Sequence, residues 1–182
     1  MSQPYRLTAQ HAALLVIDVQ EKLLAKISGR ERLVFNTGRL IQGAQLLGLP
    51  TLATEQYPRG LGPTEPTLAA LIPDRPEKTT FNCCGCPRIL ETLHGRKIRH
   101  VTLAGIEAHI CVAQTALELL SLGFIPQVAA DAVASRSDLD RDVALHRIAR
   151  AGAIVSSTEA ILFEWAESAD HPQFKALSAL VK

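Results

Sequence analysis

The sequence lacks the long apolar segment that a membrane-spanning helix requires. The longest unbroken apolar run is Ala12–Ile17, whereas a helix that crosses a bilayer needs about 20 residues. The first ten residues, MSQPYRLTAQ, also lack the charged start and apolar stretch of a signal peptide. We therefore predict a soluble, cytoplasmic protein that does not act at a membrane.

An excess of positive charge is also absent. The chain has 19 basic and 18 acidic residues, which gives a net charge of +1. A nucleic-acid-binding domain usually carries a strongly basic surface, because phosphate contacts supply much of its affinity. The balanced charge argues against nucleic acid as a partner and favours a small-molecule substrate.

Cysteine is scarce, and histidines are not paired at metal-binding spacing. The four cysteines are Cys83, Cys84, Cys86 and Cys111, and a reducing compartment disfavours a disulfide framework. Three of them crowd into FNCCGCP, but no second CxxC pair and no paired histidines supply further metal ligands. We therefore expect no metal and no cofactor, and we interpret the clustered thiols as buried or incidental.

Repeats, low-complexity tracts and linkers are absent, so we predict a single domain over residues 1–182. What recurs is a short apolar run followed by a helical stretch. This alternation predicts an α/β fold of three layers, α/β/α, with a six-stranded parallel sheet. The predicted strands are 12–18, 50–54, 77–82, 99–104, 124–129 and 153–155. The predicted helices are 30–47, 86–95, 110–122, 138–151 capped by Ser137, one capped by Ser156 with Glu159, and 172–182.

Residues with chemical potential follow the apolar runs. In open parallel sheets, the functional crevice lies beyond the carboxyl ends of the strands. Asp18 ends the first run, and Cys111 begins the helix after the fourth, where the helix dipole favours a thiolate. Lys78, at the third candidate strand, would hold the resulting charges. The pattern indicates an Asp–Lys–Cys site or, alternatively, a strand end, a solvated lysine and a small core thiol.

Six segments resemble the isochorismatase-like cysteine hydrolase superfamily, which includes nicotinamidases, N-carbamoylsarcosine amidases and isochorismatases. They extend over almost the whole chain, and the similarity is greatest to the branch of isochorismatase domain-containing proteins. The segments are VIDVQEKL (16–23), TEQYPRGLGPT (54–64), EKTTFNC (77–83), LAGIEAHICVAQTALELL (103–120), DAVASRSDLDR (131–141) and HPQFK (171–175).

The resemblance assigns the family's catalytic triad to Asp18, Lys78 and Cys111. It also implies an oxyanion hole made by the backbone N–H groups of Glu107 and Cys111, and a non-proline cis peptide bond between Ile106 and Glu107. The sheet order that it implies, 3-2-1-4-5-6, places the first and fourth strands side by side. Asp18 and the helix of the cysteine would then meet at one point.

Four further residues are candidates for substrate binding. They are Gln20, Gln56, Tyr57 and Phe81. The two after the second strand lie where relatives place substrate-binding groups. The alternative for Gln20 is capping of a short helix, and the alternative for Phe81 is a place in the core.

The resemblance implies a cysteine hydrolase that cleaves a C–N bond of a small amide through a thioester acyl-enzyme, and it implies a homo-oligomer. Nicotinamidases carry an Asp/His/His metal site after the second strand, but TEQYPRGLGPT contains no histidine. Isochorismatases generally lack the nucleophilic cysteine, so Cys111 favours acyl chemistry. Two alternatives stay open: a vinyl-ether hydrolase with Asp18 as general acid, and a binding or scaffold protein without turnover.

Overall fold

Residues 7–182, which the computed structural model describes, form a six-stranded parallel sheet with helices on both faces. The strands are β1 (Ala12–Ile17), β2 (Thr51–Gln56), β3 (Glu77–Lys78), β4 (His100–Ile106), β5 (Ile125–Ala134) and β6 (Ile154–Ser156). Their order across the sheet is β3-β2-β1-β4-β5-β6, and every neighbouring pair is parallel. The predicted fold class and strand order are confirmed.

The helices connect successive strands and cover both faces of the sheet. They are α1 (Glu21–Leu24), α2 (Arg30–Leu46), α3 (Pro58–Leu61), α4 (Pro66–Leu71), α5 (Pro87–Gly95), α6 (Ala113–Ser121), α7 (Asp138–Ala151), α8 (Thr158–Ala166) and α9 (Phe174–Leu180). A 3-10 turn over Cys83–Gly85 precedes α5, and a π-helical turn over Ala108–Val112 precedes α6. Within residues 7–182, no helix combines the length and apolar character needed to cross a membrane.

Alternate residues of β1 enter two separate hydrophobic cores. Ala12, Leu14 and Val16 pack on one face with α2, α8 and α9, whereas the residues between them pack on the other face with α5, α6 and α7. Successive side chains of a strand point to opposite faces. A continuous apolar run is therefore what a strand needs when helices cover both faces of its sheet.

The third strand is shorter than the predicted 77–82. Its pairing with β2 involves two residues only. Beyond them, the carbonyl oxygens of residues 79–81 accept hydrogen bonds from the side chains of Gln56 and Lys78. The side chains of Gln56 and Lys78 thus occupy carbonyl oxygens that would otherwise pair with a neighbouring strand, and β3 ends after Lys78.

The fifth strand is longer than predicted and continues past Ala129. After a register shift, its last two residues pair with Gly105 and Ile106 of β4. Asp131 interrupts the apolar pattern, but its carboxylate accepts hydrogen bonds from the backbone N and the Oγ1 of Thr158 at the start of α8. A distant partner therefore keeps this aspartate inside a strand, and β5 extends beside the end of β4.

The helix caps agree with the sequence in one case and differ in another. Ser137 caps α7 through its side chain, and Gly152 ends that helix with a left-handed φ of 112°. The predicted cap of α8 is wrong by one residue, because Ser157 rather than Ser156 accepts the hydrogen bond from the first turn.

Candidate active site

Asp18 follows β1 directly and is fully buried. Its φ of 50° lies in the left-handed region, which aspartate tolerates better than most residues. Each carboxylate oxygen has its own partner: Thr54 Oγ1 donates to Oδ1 at 2.8 Å, and Lys78 Nζ donates to Oδ2 at 2.6 Å. Groups from β2 and β3 therefore fix the orientation of the carboxylate.

Lys78 is a buried cation surrounded by oxygen atoms. Besides Asp18, its Nζ donates to Gln56 Oε1 at 2.8 Å and to the carbonyl oxygens of Thr80 at 3.2 Å and Phe81 at 3.1 Å. Its side chain is only 1% exposed. A buried charge is costly unless it is paired and hydrogen-bonded, and these acceptors meet that requirement. The alternative of a solvated lysine is wrong.

Gly105 allows β4 to approach β1 closely at this edge of the sheet. It has a φ of +122°, and a Cβ there would lie 2.1 Å from the carbonyl oxygen of Ile17. Glycine is required because any side chain would collide with this backbone. As a result, β4 ends beside Asp18. The peptide bond that follows, between Ile106 and Glu107, is cis, the geometry that the resemblance implies.

Cys111 lies in the π-helical turn between β4 and α6. The carbonyl oxygen of Glu107 accepts hydrogen bonds from the amides of Ile110 at 3.1 Å and Val112 at 3.2 Å, a pattern that passes over the amide between them. Turns of this kind are frequent at functional sites. The Cys111 thiol and the Asp18 carboxylate lie close enough for each to shift the pKa of the other. The structure therefore brings the three residues of the predicted triad together.

Burial raises the pKa of the Cys111 thiol above its ordinary value, and the negative charge of Asp18 raises it further, although the Lys78 ammonium acts in the opposite direction. The position at the start of a helix predicted a favoured thiolate. The direction of the shift is opposite to that prediction, because burial and an adjacent anion both disfavour the charged form of the thiol. The raised pKa favours the neutral thiol.

Asp18 and Lys78 also change each other's pKa. Burial raises the pKa of Asp18, and the Lys78 ammonium and its hydrogen bond offset this only in part. Burial lowers the pKa of Lys78, but the charge of Asp18, with smaller effects from Cys83 and Cys111, gives a net rise. Asp18 is therefore a better proton acceptor than an ordinary carboxylate, while Lys78 keeps its charge.

Gln20 and Gln56 connect the loops around the ion pair. Gln20 Nε2 donates to the carbonyl oxygens of Gln56 at 3.0 Å and Gly62 at 2.7 Å, and its Oε1 accepts the Gln56 amide at 2.7 Å. Gln56 Nε2 donates to the Thr79 carbonyl oxygen at 2.8 Å. Gln20 occupies the N-cap position of α1 without a side-chain cap bond. Both amides thus brace the site, and their contact with substrate stays a prediction.

Tyr57 and Phe81 lie at the protein surface, with exposed fractions of 55% and 53%. The ring of Tyr57 covers Gly60, where a Cβ would come within 2.4 Å of the ring. The alternative that places Phe81 in the core is wrong, because the residue is about half exposed, although its carbonyl oxygen accepts a hydrogen bond from Lys78. Both rings are available to a ligand, and their role in binding stays a prediction.

Cys83 is a site residue whose place the sequence analysis missed. The thiol is buried, as predicted, but its Sγ lies 3.5 Å from Thr54 Oγ1, which itself donates to Asp18. Burial, with the charge of Asp18, raises the pKa of Cys83 to about 11. The available signal was its position at the end of EKTTFNC, but its neighbours Cys84 and Cys86 suggested an incidental thiol.

A second missed feature joins the loop after β5 to the turn that carries Cys111. Glu107 Oε2 accepts hydrogen bonds from the backbone N and the Nε of Arg136, each at 3.0 Å. His109 Nδ1 lies 2.9 Å from Ser135 Oγ. Two consecutive loop residues therefore hold this turn. Local spacing carries no signal for such a contact.

Two grooves differ in their relation to this site. A groove of about 850 Å³ lies between α2, α4 and α9 and borders none of the predicted site residues. A smaller cleft of about 250 Å³ borders Tyr57, Lys78 and Cys86. In the described part of the chain, no group of three or more His, Cys, Asp or Glu side chains is arranged to hold a metal ion. The candidate site is therefore defined by the hydrogen bonds of Asp18 with Thr54 and Lys78, and it lies outside the larger groove.

Comparison with known proteins identifies the family. The isochorismatase domain family matches residues 12–160. Isochorismatase domain-containing protein 2 from Bos taurus is 42% identical over 170 residues, which cover 93% of this chain and 82% of that protein. The chain therefore belongs to the isochorismatase family.

Solved structures share the fold over nearly the whole chain. The MAR1 ribonuclease from Caenorhabditis elegans is 40% identical, with a TM-score of 0.90 and coverage of 97% of this chain and 92% of that chain. YcaC from Pseudomonas aeruginosa, described with hexane-2,5-diol and covalent acrylamide, is 26% identical, with a TM-score of 0.90 and coverage of 98% and 93%. YcaC from Escherichia coli, described as an octameric hydrolase of unknown specificity, is 26% identical, with a TM-score of 0.90 and coverage of 98% and 91%.

Proposed function

We propose that this protein is a metal-independent cysteine hydrolase that cleaves the C–N bond of a small amide through a thioester at Cys111. The observation that carries the proposal is the meeting of the Cys111 thiol with the buried Asp18 carboxylate, which Lys78 Nζ holds at 2.6 Å. A nucleophile in contact with an oriented base is the arrangement that covalent catalysis requires.

Acylation begins with proton transfer from the Cys111 thiol to Asp18. The sulfur then bonds to the amide carbon, and the carbonyl oxygen becomes an oxyanion. Asp18 returns the proton to the leaving nitrogen as the C–N bond breaks, which releases an amine and leaves a thioester. The raised pKa of Asp18 suits this exchange, since a general base works best when its pKa approaches the working pH.

Deacylation uses the same groups in the opposite order. Water attacks the thioester carbon and gives a proton to Asp18, the C–S bond breaks, and the thiol regains that proton. Lys78 remains a cation throughout and stabilises the negative charge as it moves between carboxylate and sulfur. The products are a carboxylic acid and an amine.

The backbone amides of Glu107 and Cys111 are the proposed oxyanion donors. Both residues belong to the turn that follows β4, in which the Glu107 carbonyl oxygen accepts the amides of Ile110 and Val112. In comparable sites, loss of one such donor slows turnover about 100- to 1000-fold.

Covalent acrylamide in the Pseudomonas aeruginosa YcaC structure supports a nucleophile in this fold. To test the proposal, we would incubate the protein with a library of small amides and measure adduct masses. We expect an acyl group on Cys111 in the wild type and in Cys86→Ala, and none in Cys111→Ala. Turnover by Cys111→Ala at the wild-type rate would overturn the proposal.

A vinyl-ether hydrolase is a second candidate, because the raised pKa of Asp18 also suits a general acid. The Cys111→Ala variant separates the candidates. Amide hydrolysis would be lost in this variant, whereas vinyl-ether cleavage would survive. A scaffold protein would show no turnover in either form.

RNA is a further substrate class to test, because the Caenorhabditis elegans relative is named a ribonuclease. We propose that RNA is not the substrate here, since the net charge of +1 offers little attraction for phosphate. We expect RNA cleavage in purified samples to be equal for the wild type and Cys111→Ala. Cleavage that is lost with Cys111 would contradict this.

We also propose a homo-oligomer in the cytoplasm. The octameric Escherichia coli YcaC supports the first part, and the four free cysteines of the described chain support a reducing compartment. Light scattering is expected to show a multiple of the 19.7 kDa chain. A single species of that mass would refute the oligomer.

A further inference from the structure

We infer that Arg136 is a positioning residue that holds the proposed oxyanion hole in shape through the Glu107 carboxylate. The segment from Glu107 to Val112 is called the nucleophile turn below. The inference rests on the proposed function, because it concerns the donors of that reaction.

Arg136 holds Glu107 at two points. Its backbone N and its Nε both donate to Glu107 Oε2 at 3.0 Å. Glu107 is 5% exposed, whereas the Arg136 side chain is 53% exposed. A nearly buried carboxylate needs its partners because ionised oxygens are costly to leave without donors. Arg136 therefore supplies, from the surface, the cation that keeps this side chain in place.

The backbone of Glu107 is held within the nucleophile turn. Its carbonyl oxygen accepts the amides of Ile110 and Val112, so its C-terminal side is fixed by the turn. Its carboxylate is fixed by Arg136. With both ends held, the Cα of Glu107 and the position of the N–H attached to it are constrained by the two sets of contacts together. A change at Arg136 is therefore transmitted to this donor.

The loop that carries Arg136 is itself well supported. The last residue of β5, Ala134, pairs with Ile106, the residue before the nucleophile turn. Ser135 follows and contacts His109 at 2.9 Å, and Ser137 caps α7. Arg136 thus lies between a paired strand end and a capped helix, which gives it a rigid base from which to orient Glu107.

Two reactions of the same thiol distinguish positioning from general structure. Acylation of Cys111 by p-nitrophenyl acetate passes through a tetrahedral oxyanion, whereas alkylation by iodoacetamide is a displacement at carbon that forms no oxyanion. A variant that misplaces the oxyanion donors slows the first reaction. A variant that only loosens the protein or alters access changes both.

The experiment measures both rates by mass spectrometry in the wild type, Arg136→Met, Arg136→Lys and a control, Arg147→Met, which removes an exposed arginine of α7. We expect Arg136→Met to slow acylation about 10- to 100-fold, somewhat less than loss of a donor. Alkylation should stay within about twofold, since no oxyanion forms. Arg136→Lys should recover most of the acylation rate, and the control should match the wild type.

Equal acylation rates in the wild type and Arg136→Met would overturn the inference and leave the proposed function intact. A parallel loss of both reactions would also overturn it, because that pattern indicates general damage. Absence of an acetyl group on Cys111 in the wild type would overturn the proposed function, and the inference with it.

Discussion

The two halves of the site are held in different ways. The carboxylate half consists of Asp18, Thr54 and Lys78, whose buried side chains hydrogen-bond to one another. The thiol half is the nucleophile turn, whose shape follows from the backbone path after Gly105 and from the half-exposed Arg136. The Asp18 carboxylate is thus positioned by buried hydrogen-bonding side chains, whereas the Cys111 thiol is positioned by the path of the backbone.

This difference determines how each half responds to substitution. Removing a partner from the carboxylate half leaves a buried charge without a group that compensates it, which lowers the free energy of unfolding. Changes in the thiol half break no fully buried ion pair, since Glu107 keeps the backbone N of residue 136 as a donor even when the Arg136 side chain is lost. They mainly alter where the thiol and the amides lie. The predictions below test this contrast.

Lys78→Met is expected to have the largest effect. It leaves the Asp18 carboxylate buried without its cation, and breaking a buried ion pair in this way costs about 3–5 kcal/mol. Urea unfolding would measure the loss. The control Lys22→Met removes an exposed lysine whose Nζ donates to the Gly60 carbonyl oxygen at 2.8 Å, and we expect less than about 1 kcal/mol. Equal losses in the two variants would contradict the contrast.

Gly105→Ala is expected to have an intermediate effect, through the thiol half. The added Cβ meets the Ile17 carbonyl oxygen at 2.1 Å with φ at +122°, and an unsuitable conformation alone costs about 1–3 kcal/mol. The shift of β4 should also slow acylation of Cys111. Gly95→Ala is the matched control, since it meets nothing within 4 Å at the end of α5. Thermal unfolding that ranks the two variants equally would refute this prediction.

The smallest expected effect is a shift of the pH profile. In the proposed mechanism, turnover needs ionised Asp18, so the rate is expected to fall as the pH drops through its pKa, which burial raises above 3.8. The hydrogen bond from Thr54 lowers this pKa, and Thr54→Val should therefore move the acid limb of kcat/KM to higher pH. Thr51→Val is the matched control, because Thr51 lies in the same strand as Thr54 but its hydroxyl donates to the Leu49 carbonyl oxygen. This variant should leave the acid limb unchanged. A limb that moves to lower pH would count against Asp18 as the base.

The sheet and the meeting of the triad residues were predictable, for separate reasons. Strand–helix alternation indicated the parallel fold, and the resemblance indicated its order. Because the carboxyl ends of neighbouring parallel strands meet at one edge, Asp18 and Cys111 were expected to lie close together. The parallel fold follows from patterns that are local in sequence, whereas the meeting of Asp18 and Cys111 depends also on the strand order that the resemblance implies.

What escaped prediction depends on partners distant in sequence. The third strand stops early because Gln56 and Lys78 occupy the carbonyl oxygens beyond it. The direction of the Cys111 pKa shift depends on burial, which helix position alone does not reveal. The hold of Arg136 on Glu107 exists only because β5 extends beside β4.

The ion pair between Asp18 and Lys78 has a consequence for the choice of substrate. The two side chains form an ion pair at 2.6 Å, and the raised pKa of Cys111 favours an uncharged thiol beside them. A substrate whose acyl group carries a charge would be attracted by one side chain of the pair and repelled by the other. It would also lose its hydration on entering the site, which is costly for a charged group. We therefore expect uncharged acyl groups to enter this triad more readily than carboxylates or ammonium compounds of the same size.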